Sequence, residues 1–277
     1  MTQRAPRVSV IIPTCNRAVS VPTAVRSALA QSFRDLEVLV VIDGSTDSTQ
    51  AALETISDER MRILTRAPPS GRPAIARNAG IAQARGELLA FLDDDDHWYP
   101  NKLAAQVAYL DAHPDCALVS SRCRWVGEEE RIWPDQRLTG FTYNKLIESN
   151  MIACSMVLTR ASAVREAGGF DTSPRLRLGE DWDLWLRIAQ RHPFAVLQAV
   201  HGDYAVHQQG MSRDRVRQLC GLITVLSRLA EREPGSRRSV EGRVRHHRRQ
   251  LARELVSRLR LADAARVLTG HDERLVF

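Results

Sequence analysis

Four carboxylates stand in a row in the stretch FLDDDDHWYP, as Asp93, Asp94, Asp95 and Asp96. Two unit charges 4 Å apart repel by about 4 kcal/mol at an effective dielectric near 20, and by about 1 kcal/mol in water. Such a run needs something to offset it. Asp93 and Asp95 are separated by one residue, and alternate side chains of an extended backbone point the same way, so both can approach one ion. Hard oxygen donors of this kind suit Mg2+ or Mn2+, which take few carboxylates and complete their shell from substrate phosphates and water. A bound dication offsets the repulsion. The competing reading is a solvated turn in which Asp96 or a neighbour helps start the next helix. The apolar run ELLAFL directly before the aspartates favours a site, because it reads as a buried strand that delivers them.

Three other stretches carry chemistry. In Ile42-Asp43-Gly44-Ser45-Thr46-Asp47, Asp43 can accept hydrogen bonds from a nucleobase or ribose; a turn with a helix cap accounts equally for Gly44, Ser45 and Asp47. In Gly179-Glu180-Asp181-Trp182-Asp183, acids open an apolar-rich helix. They suit the positive end of the helix dipole, and they are also candidates for a general base that takes a proton from a sugar hydroxyl. His207, in Tyr204-Ala205-Val206-His207, is either an ordinary imidazole or a group that reaches a metal or a diphosphate.

The elements that position these residues can be read in order. Residues 7–12 and 36–42 are rich in β-branched and aliphatic residues, the pattern of buried strands; 61–65 read as a third short strand and the apolar run 87–92 as a fourth. Between the first two, Val21, Ala24, Val25, Ala28 and Leu29 share one helical face. A helix opens at Pro73, a position proline suits, and another spans 102–112. Alternating strands and helices predict an α/β fold with a mostly parallel, Rossmann-like sheet flanked by helices. Ligands of such sheets bind beyond the carboxyl ends of the strands. Those ends carry Pro13, Thr14, Cys15 and Asn16, then Asp43, then the aspartates. Further on, strands are expected at 117–121, 154–159 and 194–200 and a helix at 179–191. Residues 124–140 read as irregular, and Pro234-Gly235-Ser236 divides the tail into two helices, the second with Leu251, Leu255 and Leu259 on one face.

The segments VSVIIPTCNR, QSFRDLEVLVVIDGSTDST, ARNAGIAQARGELLAFLDDDD, GGFD and EDWDLWLR, in this order, resemble the family 2 glycosyltransferases of the GT-A fold. The resemblance covers about residues 7–212. It implies an inverting enzyme that moves a sugar from a nucleotide-diphosphate donor, by default a UDP-sugar, to a hydroxyl acceptor in polysaccharide or glycoconjugate assembly. It implies a divalent cation, Mn2+ or Mg2+, held by Asp95 and Asp93 with help from His207. The donor would be contacted by Pro13, Thr14, Cys15, Asn16, Asp43, Arg77, Asp93 and Asp94. Asp181 of the Glu180-Asp181 pair would be the catalytic base. Two positions depart from the family pattern: Ile42 stands where an acid is frequent, and Cys15 where an aromatic is usual. Trp125 and Trp133 are candidates for stacking on the acceptor sugar.

Composition narrows the alternatives. The formal net charge of +6 is uneven: from Arg213 onward there are 16 arginines, no lysine and 8 acids. Residues 1–212 are therefore expected to form the glycosyltransferase domain, and 213–277 a basic helical extension. That extension is either a cap with a solvated charged face or a peripheral contact with an anionic membrane. Aromatics are 5% of the chain and no recognition motif occurs, which argues against nucleic acid. An odd count of five cysteines with no CxxC pair argues against a disulfide framework or structural zinc. The apolar segment near the N-terminus is too short for a signal-peptide core, and the protein is expected in the cytoplasm. Two rival functions remain. A sugar-phosphate nucleotidyltransferase would be expected to carry a glycine- and arginine-rich phosphate loop, and Thr14 to Arg17 has no glycine. A non-catalytic nucleotide-sugar binding protein would be expected to lack one of Asp93, Asp95 and Asp181.

Overall fold

The computed structural model describes residues 4–127, 130–134, 141–176, 178–207, 214–233, 235, 237–258 and 260–270. The chain forms two compact units: Met1–Phe170 with Leu184–Val206, and Asp171–Asp183 with His207–Phe277. Among the described residues no helix is long and apolar enough to cross a membrane.

The first unit is built on strands β1 (Val8–Thr14), β2 (Leu36–Asp43), β3 (Met61–Arg66) and β4 (Leu88–Phe91), with helices α1 (Val21–Leu29), α2 (Thr49–Glu54) and α3 (Pro73–Gln83) between them. Every residue of β1, β2 and β4 is buried, which is why they read as unbroken apolar runs. The expected face of α1, from Val21 to Leu29, is buried as well. Beyond β4 come β5 (His97–Trp98), α4 (Lys102–Ala112), β6 (Leu118–Gly127), β7 (Arg131–Trp133), α5 (Tyr143–Glu148), a single 3-10 turn at Cys154–Met156, β8 (Leu158–Arg160), α6 (Ala161–Glu166), α7 (Glu180–Ala189) and β9 (Phe194–Val206). The strand order is β3-β2-β1-β4-β8-β6-β9-β5, with β7 paired to β6. Strands β1 to β4 are mutually parallel, while β8 is antiparallel to both β4 and β6.

Three local expectations change. Residues 124–127 and 131–133, expected to be irregular, are strand, and Gly127 at φ +117° lies so close to the Val206 carbonyl that no Cβ would fit. Residues 128, 129 and 135–140 of that stretch lie outside the described set. Strand β9, expected to end at residue 200, runs to Val206, and β6 pairs with it to its last residue, Gly127 opposite Val206. The expected strand at 154–159 is mostly a turn, with strand only from Leu158.

In the second unit, the tail forms α8 (Arg215–Arg232), α9 (Arg237–Ser257) and α10 (Leu261–Leu268). The third helix is an addition to the two expected, and it buries Ala264 and Val267. Leu251 and Leu255 are buried on α9 as expected; Leu259, Pro234 and Ser236 lie outside the described residues.

One buried acid ties the first unit together at the amino ends of its strands. Glu37 of β2 accepts from the Ser9 hydroxyl of β1 at 2.7 Å, the Arg85 backbone N–H at 2.9 Å and the Arg62 guanidinium at 3.1 Å. Burial alone would push its carboxyl up, but these donors outweigh it and hold the group below the usual value of 4.5. A depressed carboxyl stabilises the fold above its unfolded pKa and loses that contribution as pH falls through the folded one. Glu37→Gln should therefore cost about 1–3 kcal/mol at neutral pH. For a chain of this size that is about 2–4 °C in Tm per kcal/mol. Thermal melts from pH 7 down to pH 4 should show the gap between wild type and variant closing with acidification.

Candidate active site

The carboxyl ends of β1, β2 and β4 bring polar segments together where the strand order reverses, between β1 and β4. This is the crevice at which open α/β sheets take ligands. Cys15 shows the convergence: burial, then the charges of Asp43, Asp94 and Asp47, push its thiol up, opposed by Arg17. The loops after β1 and β2 are stitched by Asn16, in the left-handed region at φ 54°. Its side-chain oxygen accepts from the Thr46 backbone N–H at 2.8 Å, and its own N–H donates to the Ser45 hydroxyl at 2.9 Å. Asp47 accepts from the Thr49 N–H at 3.0 Å, consistent with a helix-start role.

Asp43, buried at the end of β2, accepts from Arg66 at 2.6 Å, from the Ser70 backbone N–H at 3.0 Å and from the Ser70 hydroxyl. Its carboxylate is fixed by these donors. Gly44, at φ +68°, packs so closely on Pro69 that an added Cβ would lie 2.5 Å from the Pro69 nitrogen. Pro13 and Thr14 end β1, both buried.

The four aspartates are not equivalent. Asp93 is paired through Oδ1 with Arg77 at 2.6 Å. Arg77 is itself 4% exposed, with its guanidinium 5.3 Å from the Phe170 ring centroid. Gly80, one turn further along α3, makes this possible. A Cβ there would lie 2.6 Å from Ile11, so the helix approaches the sheet closely and carries Arg77 in with it. Asp94 is half-buried beside Thr14 and 3.8 Å from Arg17. Burial, against the pull of Thr14 and Arg17, brings its carboxyl up to about 7. Asp95 is half-buried.

Asp96 is 2% exposed and turned inward. It accepts from the Ala205 N–H at 2.8 Å and from the Ser155 hydroxyl. Burial, followed by the charges of Asp93 and Asp95, pushes its carboxyl well above the carboxylate range. The Ser155 oxygen also accepts the Asp93 backbone N–H at 3.0 Å, and the Ser155 carbonyl accepts from the Trp98 ring nitrogen at 2.6 Å. Ser155 thus pins both ends of the run from the turn before β8. Nothing in the sequence marks it, because its partners lie 57 to 62 residues away.

The remaining predicted residues stand on other elements. Trp125 and Trp133 stack on each other at 6.0 Å, with Arg131 4.1 Å above Trp125. Glu180, Asp181 and His207 belong to the second unit. Glu180 is buried, whereas Asp181 is half-buried in the first turn of α7, accepting the Trp182 N–H at 2.7 Å. His207 directly follows β9 and is half-buried. Among the described residues no three His, Cys, Asp or Glu side chains gather into a metal cage. A pair such as Asp93 and Asp95 instead suits an ion that takes most of its ligands from substrate and water.

Residues 9–166 match the family described as glycosyl transferase family 2. Over 214 residues the chain is 27% identical to the UDP-Glc:alpha-D-GlcNAc-diphosphoundecaprenol beta-1,3-glucosyltransferase WfgD of Escherichia coli, covering 76% of this chain and 82% of that protein. It is 30% identical over 198 residues to the putative teichuronic acid biosynthesis glycosyltransferase TuaG of Bacillus subtilis, covering 69% and 75%. Among solved structures, the mannosyltransferase PcManGT from Pyrobaculum calidifontis, in complex with GDP-Man and Mn2+, superposes with a TM-score of 0.67 at 23% identity over 99% of this chain and 77% of that one. S. aureus TarS 1-349 with UDP-GlcNAc gives 0.67 at 19% identity, covering 96% and 71%.

The double role of Ser155 sets a test. Ser155→Ala removes a donor from a buried carboxyl and an acceptor from a buried N–H, at a cost of about 1–3 kcal/mol. Urea unfolding should show this as a lower midpoint with an unchanged slope.

Proposed function

The chain belongs to glycosyl transferase family 2 and has the GT-A fold, and from that premise we propose that it moves a sugar, with inversion, from a nucleoside-diphosphate donor to a hydroxyl of a growing saccharide. The observation that carries this reading is that β1, β2 and β4, paired side by side in parallel, lead at their carboxyl ends into Cys15, Asp43 and Asp94, beside the Arg77-bound Asp93. By default the donor is a UDP-sugar. Asp43, fixed by Arg66 and Ser70, presents a preset acceptor to the nucleoside. Pro13, Thr14, Cys15 and Asn16 line the same side, Arg77 orients Asp93, and Asp94 completes the donor side.

Asp93 and Asp95 fit a divalent cation, Mn2+ or Mg2+, with His207 as a further candidate ligand. When bound, such an ion supplies positive charge that stabilises the departing diphosphate. Asp181 takes the proton of the acceptor hydroxyl as general base. Its half-exposed carboxylate suits that role better than buried Glu180. Trp125 and Trp133 offer aromatic surface to the acceptor. The names of WfgD and TuaG support polysaccharide assembly, with a saccharide or lipid-linked acceptor. We place the reaction in the cytoplasm, with the basic segment 213–277 either a helical cap with a solvated charged face or a peripheral contact to an anionic membrane. The nucleotidyltransferase alternative is not favoured, given the family to which the chain belongs.

Two variants and one panel test these roles. Asp181→Asn should abolish transfer while calorimetric donor affinity stays near wild type, since a base is lost and not a ligand; full turnover would sink the assignment. Asp95→Ala should weaken donor binding in Mn2+, and an unchanged affinity would count against it. A thermal-shift panel of nucleotide sugars, with and without Mn2+, should name the donor, because only a ligand of the native state raises Tm.

A further inference from the structure

The segment 171–183, which carries Glu180 and Asp181, clusters with the C-terminal helices. One face of α8 makes the connection. Gly221, Thr224, Val225, Arg228 and Arg232 recur at i, i+3, i+4, i+7 and i+11, a single helical stripe. At one end, Gly221 touches the chain just before the acids: a Cβ there would lie 2.3 Å from the Leu178 carbonyl oxygen. Val225 lies under Gly179, whose added Cβ would meet it at 3.5 Å. The Thr224 hydroxyl donates to the Arg175 carbonyl at 3.4 Å. Arg228 pairs with Asp171, at the start of the segment. Arg232 pairs with Asp183, whose side chain is 1% exposed, at 2.5 Å.

Asp183 lies two residues beyond Asp181, in the same first turn of α7. A buried carboxylate paired in this way fixes the rotation of that turn, because leaving it unpaired is strongly unfavourable. Gly179 precedes the turn at φ +85°, a backbone state that glycine adopts without strain. The start of α7 is thus hinged by a glycine on one side and locked by an ion pair on the other.

We propose that Arg232 and Asp183, with the Gly221 contact beneath them, are positioning residues for the catalytic base, and that α8 is a working part of the transferase. This rests on the reading of Asp181 as the base. The proton still goes from the acceptor hydroxyl to Asp181; the ion pair sets where that carboxylate stands.

The test is a kinetic double-mutant cycle on the full chain, with Arg232→Met, Asp183→Asn and the double variant. A base misplaced by about 1 Å can cost about 100-fold, so each single variant should lower kcat by about 10- to 100-fold while donor KM stays near wild type. The double variant should be no slower than the worse single, because both remove one interaction. Arg232→Lys should restore part of kcat. Gly221→Ala provides a second approach. Alanine is the better helix former, so α8 persists while its approach to Leu178 is pushed back, and kcat should fall with helicity by circular dichroism retained. Wild-type kcat in Arg232→Met, losses that multiply in the double variant, or a kcat loss that follows melting alone would each overturn the proposal. Failure of the base assignment reads differently: Asp181→Asn then turns over normally, whatever the cycle gives.

Discussion

Carboxylates crowded at the end of an apolar sheet can coexist only if each is given a different partner, and this constraint organises the first unit. Asp93 takes a buried arginine, and Asp96 takes a serine hydroxyl and a backbone N–H in the interior. Asp94 lies beside Arg17, its carboxyl raised towards neutrality. The run is therefore a graded set, from an interior clamp to groups at the open edge. The geometry that separates them depends on distant elements: α3 must come close to the sheet at Gly80, and the turn before β8 must offer Ser155 to both ends of the run. A shift in either would put like charges back against one another.

The same logic recurs at the other end of the strands and in the second unit. Glu37 collects a hydroxyl, a backbone N–H and guanidinium donors from three segments, and Asp183 collects Arg232. Buried acids act here as joints between elements far apart in sequence. Removing such charges from water offsets much of what pairing returns, whereas the loss of one partner leaves a buried charge uncompensated.

Much of the arrangement was legible because the first strands are buried on both faces. VSVIIPT and LEVLVVID have no polar face to confuse the reading, and the polar residues that follow them are at the site by topology alone. What stayed hidden depends on partners across long stretches. Ser155 sits in an apolar stretch read as a strand. Asp96 differs from its neighbours only in which way it turns, and no local pattern encodes that. Residues 124–127 and 131–133 look irregular because a glycine and a triple acid interrupt them, yet pairing of the first with β9 and of the second with β6 overrides that local signal. The stripe on α8 was present in the sequence, but a helical stripe says only that something is covered. That its partner is residues 171–183 emerges only when the second unit closes around them.

The discontinuous makeup of the second unit bears on how the protein is made. Translation proceeds from the N-terminus, and domains fold as their residues emerge. Residues 171–183 are synthesised well before α8, the helix that holds them. On the proposed roles, a nascent chain completes the donor-binding strands first and gains a fixed base only once α8 leaves the ribosome. Catalytic competence would then wait for α8, and a chain truncated before Arg232 would hold nucleotide without turning it over.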